Sequence, residues 1–356
     1  MSWVCGDLHL ENIGSYRAAN GLTYFDINDF DEAQLAPCTV DLARLVTSLL
    51  VAAHDWRIPA KVTHSLAWRL IQAYKQRLLR GKPQSIERLT AEGALKRFLE
   101  QVDKRSPSAL LNRYTQRHGR HRHLIRDGKR LLELNPTETQ TVWPWLESWL
   151  AHYGDWRLRD LAFRVAGTSS LGLARYAALV QTPKGKYKLL DFKAVPAPAG
   201  AAYWVEWQPE WPNAATRVAI LQERLQDVPP KYLQPLVSQG GSSLVMRSLQ
   251  PQADRLNLEL NVLPNVKRLG ALLETVAQLL ASAHLRSGGR QSSAITDELM
   301  SFASADGWDA ELLEQAKQYA QRVGRDYKQF CNLDFSELLT QAGEVDAQVG
   351  DCVVLK

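Results

Sequence analysis

Apolar residues fall in short runs at the start of the chain, recur at helical spacing through the next hundred positions, return to short runs, and end in helical spacing again. Residues 2–5 (Ser-Trp-Val-Cys) read as the end of a short buried strand, and residues 22–30, β-branched and aromatic after an Asn20-Gly21 turn, as a second. Pro37 ends the following loop, and Thr39 is placed to cap a helix running through residues 41–53. Residues 62–104 carry helical periodicity, with Leu66, Leu70, Ile71 and Tyr74 on one face. Beyond residue 160 three apolar runs, 161–165, 173–180 and 187–192, predict a β-meander. Residues 214–226 predict an amphipathic helix, 244–249 a further strand, and 266–284 a helix whose periodicity persists to about residue 330. Helical, then β-rich, then helical order predicts an α+β fold divided at 1–155, 156–262 and 263–356.

Composition narrows the class. At 356 residues, 45% of them hydrophobic, the chain is long enough for two lobes with a real core. A net charge of +5 suits anionic ligands such as nucleotides but is too weak to argue for nucleic acid. Cys5, Cys38, Cys331 and Cys352 are scattered, which predicts reduced thiols in a cytoplasmic protein, without a disulfide frame or zinc site. No apolar run approaches the ~20 residues of a membrane span, and the N-terminus lacks a signal-peptide pattern. The Trp143, Trp145, Trp149, Trp156 group and the Trp204, Trp207, Trp211 group read as surfaces that pack the lobes together.

Three segments carry candidate chemistry. In Gly6-Asp7-Leu-His9-Leu-Glu-Asn12 an aspartate precedes an asparagine by five positions. That is the spacing of a kinase catalytic loop, where the Asp accepts the proton of the attacking hydroxyl and the Asn holds a metal ion. The strand ending Asp26-Ile-Asn28-Asp29-Phe30-Asp31-Glu32-Ala33 offers a carboxylate that could complete a magnesium site. Gly167-Thr-Ser-Ser170-Leu-Gly172 lies between two predicted strands and Lys193 ends the next, an arrangement suited to phosphate oxygens. Each signal is weak alone. An EF-hand over residues 26–31 fails because Phe30 and Asp31 stand where a ligand and a glycine are needed. Asp191-Phe192 reads as plain strand, and a metallophosphoesterase would need a later Gly-Asn-His element that is missing. The stretch Arg113, Arg117, Arg120, Arg122, Arg126, Lys129 and Arg130, with His118, His121 and His123 among them, reads as a solvated connector or a docking point for an anionic substrate.

Gly6-Asp7-x-His9-x-x-Asn12, Asp29-Phe30-x-x-Ala33 and Pro37-x-x-x-Asp41-Leu42-Ala43 resemble the catalytic core of aminoglycoside and choline kinases. The chain as a whole more closely resembles an uncharacterised bacterial family, domain of unknown function 2252, from residue 4 to about 330. That family carries GDxHxxNFG, FDxNDFDE, a GTGSxG loop, a KEA segment and an AHxRSG stretch. The resemblance implies a bilobal kinase-like fold and an ATP- and Mg2+-dependent phosphotransferase acting on an unidentified hydroxyl acceptor, small molecule or protein. It implies Asp7 as catalytic base, His9 as a loop-shaping or phosphate-approaching residue, and Asn12 and Asp29 as magnesium ligands. Gly167, Ser170 and Gly172 would cover the phosphates, Lys193 would pair with them, and Leu249 and Gln250, on a hinge-like strand, would border the nucleotide. Asp41 would buttress the catalytic loop. Ser169 stands where the family has glycine, and Ala194 where it has the glutamate of KEA. Glu223 is then the candidate acidic partner of Lys193. In such kinases a helix ending Ala-x-x-His leads into the catalytic loop. Here that helix ends at His284, far downstream, so a circularly permuted order is expected, with Lys193 and Asp29 within reach of one nucleotide's phosphates. A nucleotide-binding pseudokinase and an AMP transferase would use much the same groups.

Overall fold

The computed structural model describes residues 1–119, 121–167, 172–238, 241–250 and 265–333. The chain opens with β1 (Ser2–Val4), a 3₁₀ turn at Leu10–Asn12, and the hairpin β2 (Ile13–Arg17) and β3 (Thr23–Ile27); β4 (Gln34–Ala36) then returns to pair antiparallel with β1. Every residue of β1, β3 and β4 is buried, as expected of strands enclosed on both faces. Helix α1 (Thr39–Asp55) begins at Thr39 itself, after Cys38 with no side-chain cap, so Thr39 is not the N-cap. The periodic stretch 62–104 is two helices, α2 (Ala60–Leu79) and α3 (Gly93–Asp103). The loop between them uses the Ile86 carbonyl to accept from Phe25 N at 2.9 Å, which pulls the chain out of helix to edge β3. Leu66, Leu70, Ile71 and Tyr74 are all buried on α2.

The basic stretch is more ordered than a connector. It comprises the end of α4 (Pro107–Tyr114) and a hairpin of β5 (Thr115–His118) and β6 (His121–Leu124). Next come β7 (Leu131–Leu132), α5 (Pro136–Gly154), β8 (Arg157–Arg164), β9 (Arg175–Gln181), β10 (Tyr187–Ala194), α6 (Ala214–Leu225), β11 (Gln234–Val237) and β12 (Ser243–Ser248). The predicted meander is the centre of an antiparallel six-stranded sheet in the order β11-β12-β10-β9-β8-β7. The chain returns through α7 (Val266–Ser287), α8 (Thr296–Ser304) and α9 (Trp308–Cys331).

The fold is therefore mixed α+β, but its layers cross the expected boundary at residue 155. Helix α5, started by a reciprocal Asn135–Glu138 capping box, lays Leu146 and Leu150 on the sheet face that carries Leu158, Leu190, Phe192 and Met246. β7 joins the same sheet, so the β-rich unit recruits chain upstream of 155. Trp143, Trp145, Trp149 and Trp156 pack within this helix–sheet layer, not between lobes. In the other group Trp211 meets Trp3 edge-on at 5.9 Å, whereas Trp207 is exposed. The opposite sheet face carries Ala162, Ala177, Leu179 and Leu189 against Tyr114, Leu110 and Leu111 of α4. The largest core joins β1, β3, α1, α2, α6 and α7. Cys5 and Cys38 are buried free thiols, Cys331 is exposed, and Cys352 lies outside the described residues. No helix among the described residues is long and apolar enough to cross a membrane.

At the centre of this core Arg286 of α7 reaches Asp26 of β3 at 3.3 Å and donates also to the carbonyls of Leu225 and Gln84. Burial raises the Asp26 carboxyl to about 6, with Arg286 pulling it back only in part. A folded-state value above the unfolded one stabilises the protein below the unfolded value, and that stabilisation is lost as pH rises through about 6. Between about pH 4 and 7 the wild type should lose on the order of 2 kcal/mol relative to Asp26→Asn. Urea unfolding of both proteins across that range measures the difference, and parallel profiles would refute it.

Candidate functional site

The Asp7–Asn12 loop is pinned from beneath. Asp41, fully buried in the first turn of α1, accepts the amides of Cys5 at 2.8 Å and Gly6 at 2.9 Å. Gly6 turns the chain with φ +84°, and a Cβ there would overlap the Glu32 carbonyl. Asn12 then closes the loop, its Nδ2 donating to the Asp7 carbonyl at 2.7 Å, while Leu10 N donates to Ser48 Oγ at 3.2 Å. His9 caps the 3₁₀ turn, its Nδ1 accepting from Glu11 N at 3.2 Å, with Nε2 4.0 Å from Asp7. The Asp7 carboxylate is about one-third exposed and is clasped by Arg44 of α1.

The end of α7 backs this loop. His284, fully buried, is hydrogen-bonded through Nδ1 to the Tyr74 hydroxyl at 2.7 Å, and its Nε2 lies 3.5 Å from Asp41 without completing a hydrogen bond. Trp3 Nε1 donates to the Arg290 carbonyl at 3.0 Å, and Ala294 N to the Met1 carbonyl at 2.8 Å. Helix α7, which runs past the expected end at His284 to Ser287, and the loop at Asp7 are thus spatial neighbours.

Asn28 N donates to the Asn12 carbonyl at 2.9 Å, which brings the segment after β3 alongside the loop. Lys193, at the end of β10 and buried, lies 3.5 Å from Asp29 Oδ2 and contacts Asp31 Oδ2 directly. Burial works to raise both carboxyls. For Asp29 the charges of Lys193 and Arg247 outweigh it and the net shift is downward. For Asp31 burial and then the charge of Asp29 prevail, and its carboxyl is raised. Asp31 and not Glu223 is therefore the close acidic partner of Lys193. Glu223 is exposed on α6 and has no basic partner among the described residues.

Beside Lys193 the sheet buries a second charged cluster that sequence reading missed. Asp191, two residues earlier on the same face, receives Arg164 at 2.6 Å and Arg175 at 2.6 and 2.9 Å, with Arg247 at 3.6 Å. Burial pushes its carboxyl up, but the three guanidinium groups outweigh that and hold it well below the carboxylate range. An Asp-x-Lys on one face of β10, after the apolar Leu189-Leu190, was the available signal. Arg217 of α6, buried, fastens the acidic loop through the carbonyls of Asp31, Ala33 and Pro196.

Other predicted residues fall differently. Gly167 and Gly172 join β8 to β9 with φ of +81° and +85°; Ser170 lies outside the described residues. Leu249 is buried in the sheet core, and its N–H donates to Leu189 O at 3.0 Å. Gln250, next to it, is partly exposed. A cleft of about 1930 Å³ runs between α1, α9 and the turns at Tyr203 and Trp204, with Asp7, His9 and Arg44 in its wall.

No group of three or more His, Cys, Asp or Glu among the described residues is placed to hold a metal. Asn12 and Asp29 nonetheless carry the kind of oxygen donors that magnesium takes. With Nδ2 committed to Asp7, Asn12 has its amide oxygen to offer, and Asp29 adds a carboxylate. A hard cation that keeps water and phosphate oxygens as most of its ligands needs no more from the protein.

Residues 1–333 match the model of a family described as "Uncharacterized protein conserved in bacteria (DUF2252)", and the chain belongs to that family. No curated protein and no solved structure matches it.

The turn at Gly6 gives a direct check on how the loop is held. Gly6→Ala should cost about 2 kcal/mol or more, because a side chain is added at positive φ against a backbone carbonyl. Denaturant unfolding measures the loss, and an unchanged midpoint would mean the turn is not so constrained.

Proposed function

We propose that the protein is an ATP- and Mg2+-dependent phosphotransferase of kinase-like, circularly permuted fold, acting in the cytoplasm on a hydroxyl-bearing acceptor. One observation carries this reading: the sheet lysine Lys193 lies 3.5 Å from Asp29, whose neighbour Asn28 is hydrogen-bonded to the Asp7–Asn12 loop. Candidate phosphate, metal and proton-transfer groups, far apart in sequence, so form one contiguous site. The permuted order is supported by the end of α7 abutting β1 and by His284 beside Asp41.

Asp7 would orient the acceptor hydroxyl and receive its proton, as the Asp of a kinase loop does. Its place in the wall of the cleft suits an acceptor entering from the cleft. Asn12 and Asp29 would hold Mg2+, which when bound neutralises charge developing on the transferred phosphoryl group. Lys193 would exchange Asp31 and Asp29 for phosphate oxygens, and Asp41 keeps the Asp7 loop in register through two amides. Positioning and charge stabilisation account for most of such catalysis, so a rigidly buttressed loop matters more than a strong base.

One feature favours a second reading, a nucleotide-binding pseudokinase. Arg44 occupies the Asp7 carboxylate, and a general base would have to be released from it. ATP turnover with and without a panel of hydroxyl acceptors separates the two readings. For the phosphotransferase, Asp7→Ala should leave nucleotide affinity within about twofold and lower turnover by about 10²–10⁴-fold. Asp29→Ala should weaken Mg2+-dependent ATP binding while affecting binding in EDTA far less, read by calorimetry. Full activity in both variants would refute the site, and tight nucleotide binding without turnover in the wild type would select the pseudokinase.

A further inference from the structure

The arginine cluster on the sheet is unevenly satisfied, and the imbalance points at a ligand. Asp191 faces three guanidinium groups. Two of them take its oxygens at 2.6 Å, and Arg175 also spends a third donor on the Ala166 carbonyl at 3.2 Å. Arg247 is left with an ion pair at 3.6 Å and one long hydrogen bond, 3.4 Å, to the Asn28 carbonyl among the described residues. Its side chain is 18% exposed, against 7% and 9% for Arg164 and Arg175. The remaining donors of this partly exposed guanidinium open to solvent, where an anion can meet them.

Its position says which anion. Arg247 is the cross-strand partner of Asp191 on β12, so it sits diagonally from Lys193 on the same face of the sheet. Diagonal neighbours stand about 7–8 Å apart at Cβ, close enough for two long side chains to converge on adjacent phosphoryl groups. The carbonyl it touches belongs to the residue before Asp29, so its charge lies between Asp191 and the acidic loop. Lys193 is already outnumbered by Asp29 and Asp31, whereas the three arginines outnumber Asp191.

We propose that Arg247 is the second arm of a phosphate clamp, binding a diphosphate or triphosphate together with Lys193. Within the function proposed above this makes it a phosphate-binding residue on the strand whose neighbouring Leu249 has no free backbone donor. The inference rests on that reading for the nucleotide but not for the phosphates, and the probes separate the two.

The test is calorimetric titration of the full chain with Mg-ADP, inorganic pyrophosphate and adenosine. Wild type, Arg247→Ala and Arg247→Lys are compared, each checked by thermal unfolding. Arg247→Ala should bind Mg-ADP and pyrophosphate about tenfold or more weakly, the worth of a charge-assisted hydrogen bond. Adenosine affinity should be unchanged, and Arg247→Lys should recover part of the loss. Undiminished binding of Mg-ADP and pyrophosphate by Arg247→Ala would overturn the proposal. So would an equal loss for adenosine, since the arginine would then act through the fold. If the wild type binds pyrophosphate but no nucleotide, and Arg247→Ala loses it, the clamp stands while the nucleotide reading falls. If the wild type binds neither, both fall.

Discussion

Two backbone amides, those of Cys5 and Gly6, donate to one buried carboxylate on α1, and most of the site depends on that pairing. A carboxylate buried in the core is tolerable only when its oxygens are met, and here two N–H groups of the adjacent turn meet them. The turn can accept this role because residue 6 is glycine and adopts positive φ where a side chain would strike Glu32. With that anchor set, the 3₁₀ turn, the Asn12 side chain and the segment after β3 follow in register. His284 and Tyr74 close the underside, so α2 and α7 both bear on the loop without touching its exposed carboxylate.

The second organising feature is electrostatic. Arginines and a lysine project from one face of the β-sheet, and Asp29 and Asp31 meet them from a loop of the helical part. Removing such charges from water is expensive, and their attraction offsets that cost only where geometry and hydrogen bonding are good. Asp191 and its two close arginines meet that condition. The junction of Lys193 with two carboxylates does so less well, because like charges stand side by side on the acidic loop. Well-satisfied ions build the wall, and poorly satisfied ones face the space beside it.

Much of the element order was legible in periodicity. Leu66, Leu70, Ile71 and Tyr74 mark the buried face of α2 by spacing alone, and the three apolar runs mark the sheet's centre. Periodicity could not see the break between α2 and α3, because its cause is tertiary: the Ile86 carbonyl serves β3. Nor could it assign α5 to the sheet, since an apolar helical face does not say what will cover it. The candidate residues Asp7, Asn12, Asp29 and Lys193 stand out only jointly, each signal being weak alone. Asp31 was hidden among four acidic residues in seven positions, and Arg164, Arg175 and Arg247 were hidden because isolated arginines on strands look solvated. Glu223 was a misplaced guess for the same reason: helix position gave no information about which side chain points inward.

The contact between the end of α7 and β1 also bears on how the molecule is made. Asp7 leaves the ribosome before any of the residues from 284 to 294 that back its loop. β1 must therefore wait for almost the whole described chain before its surroundings are complete. Contacts of such long sequence separation form late and slowly, and the exposed apolar strand is vulnerable to mispairing in the interval. Helix α1 and β4, synthesised soon after, give β1 early partners, and the Asp41 carboxylate can take its two amides well before α7 exists. Assembly of the site would then be a two-stage event, a provisional loop fastened by α1 and a finished one sealed by the end of α7.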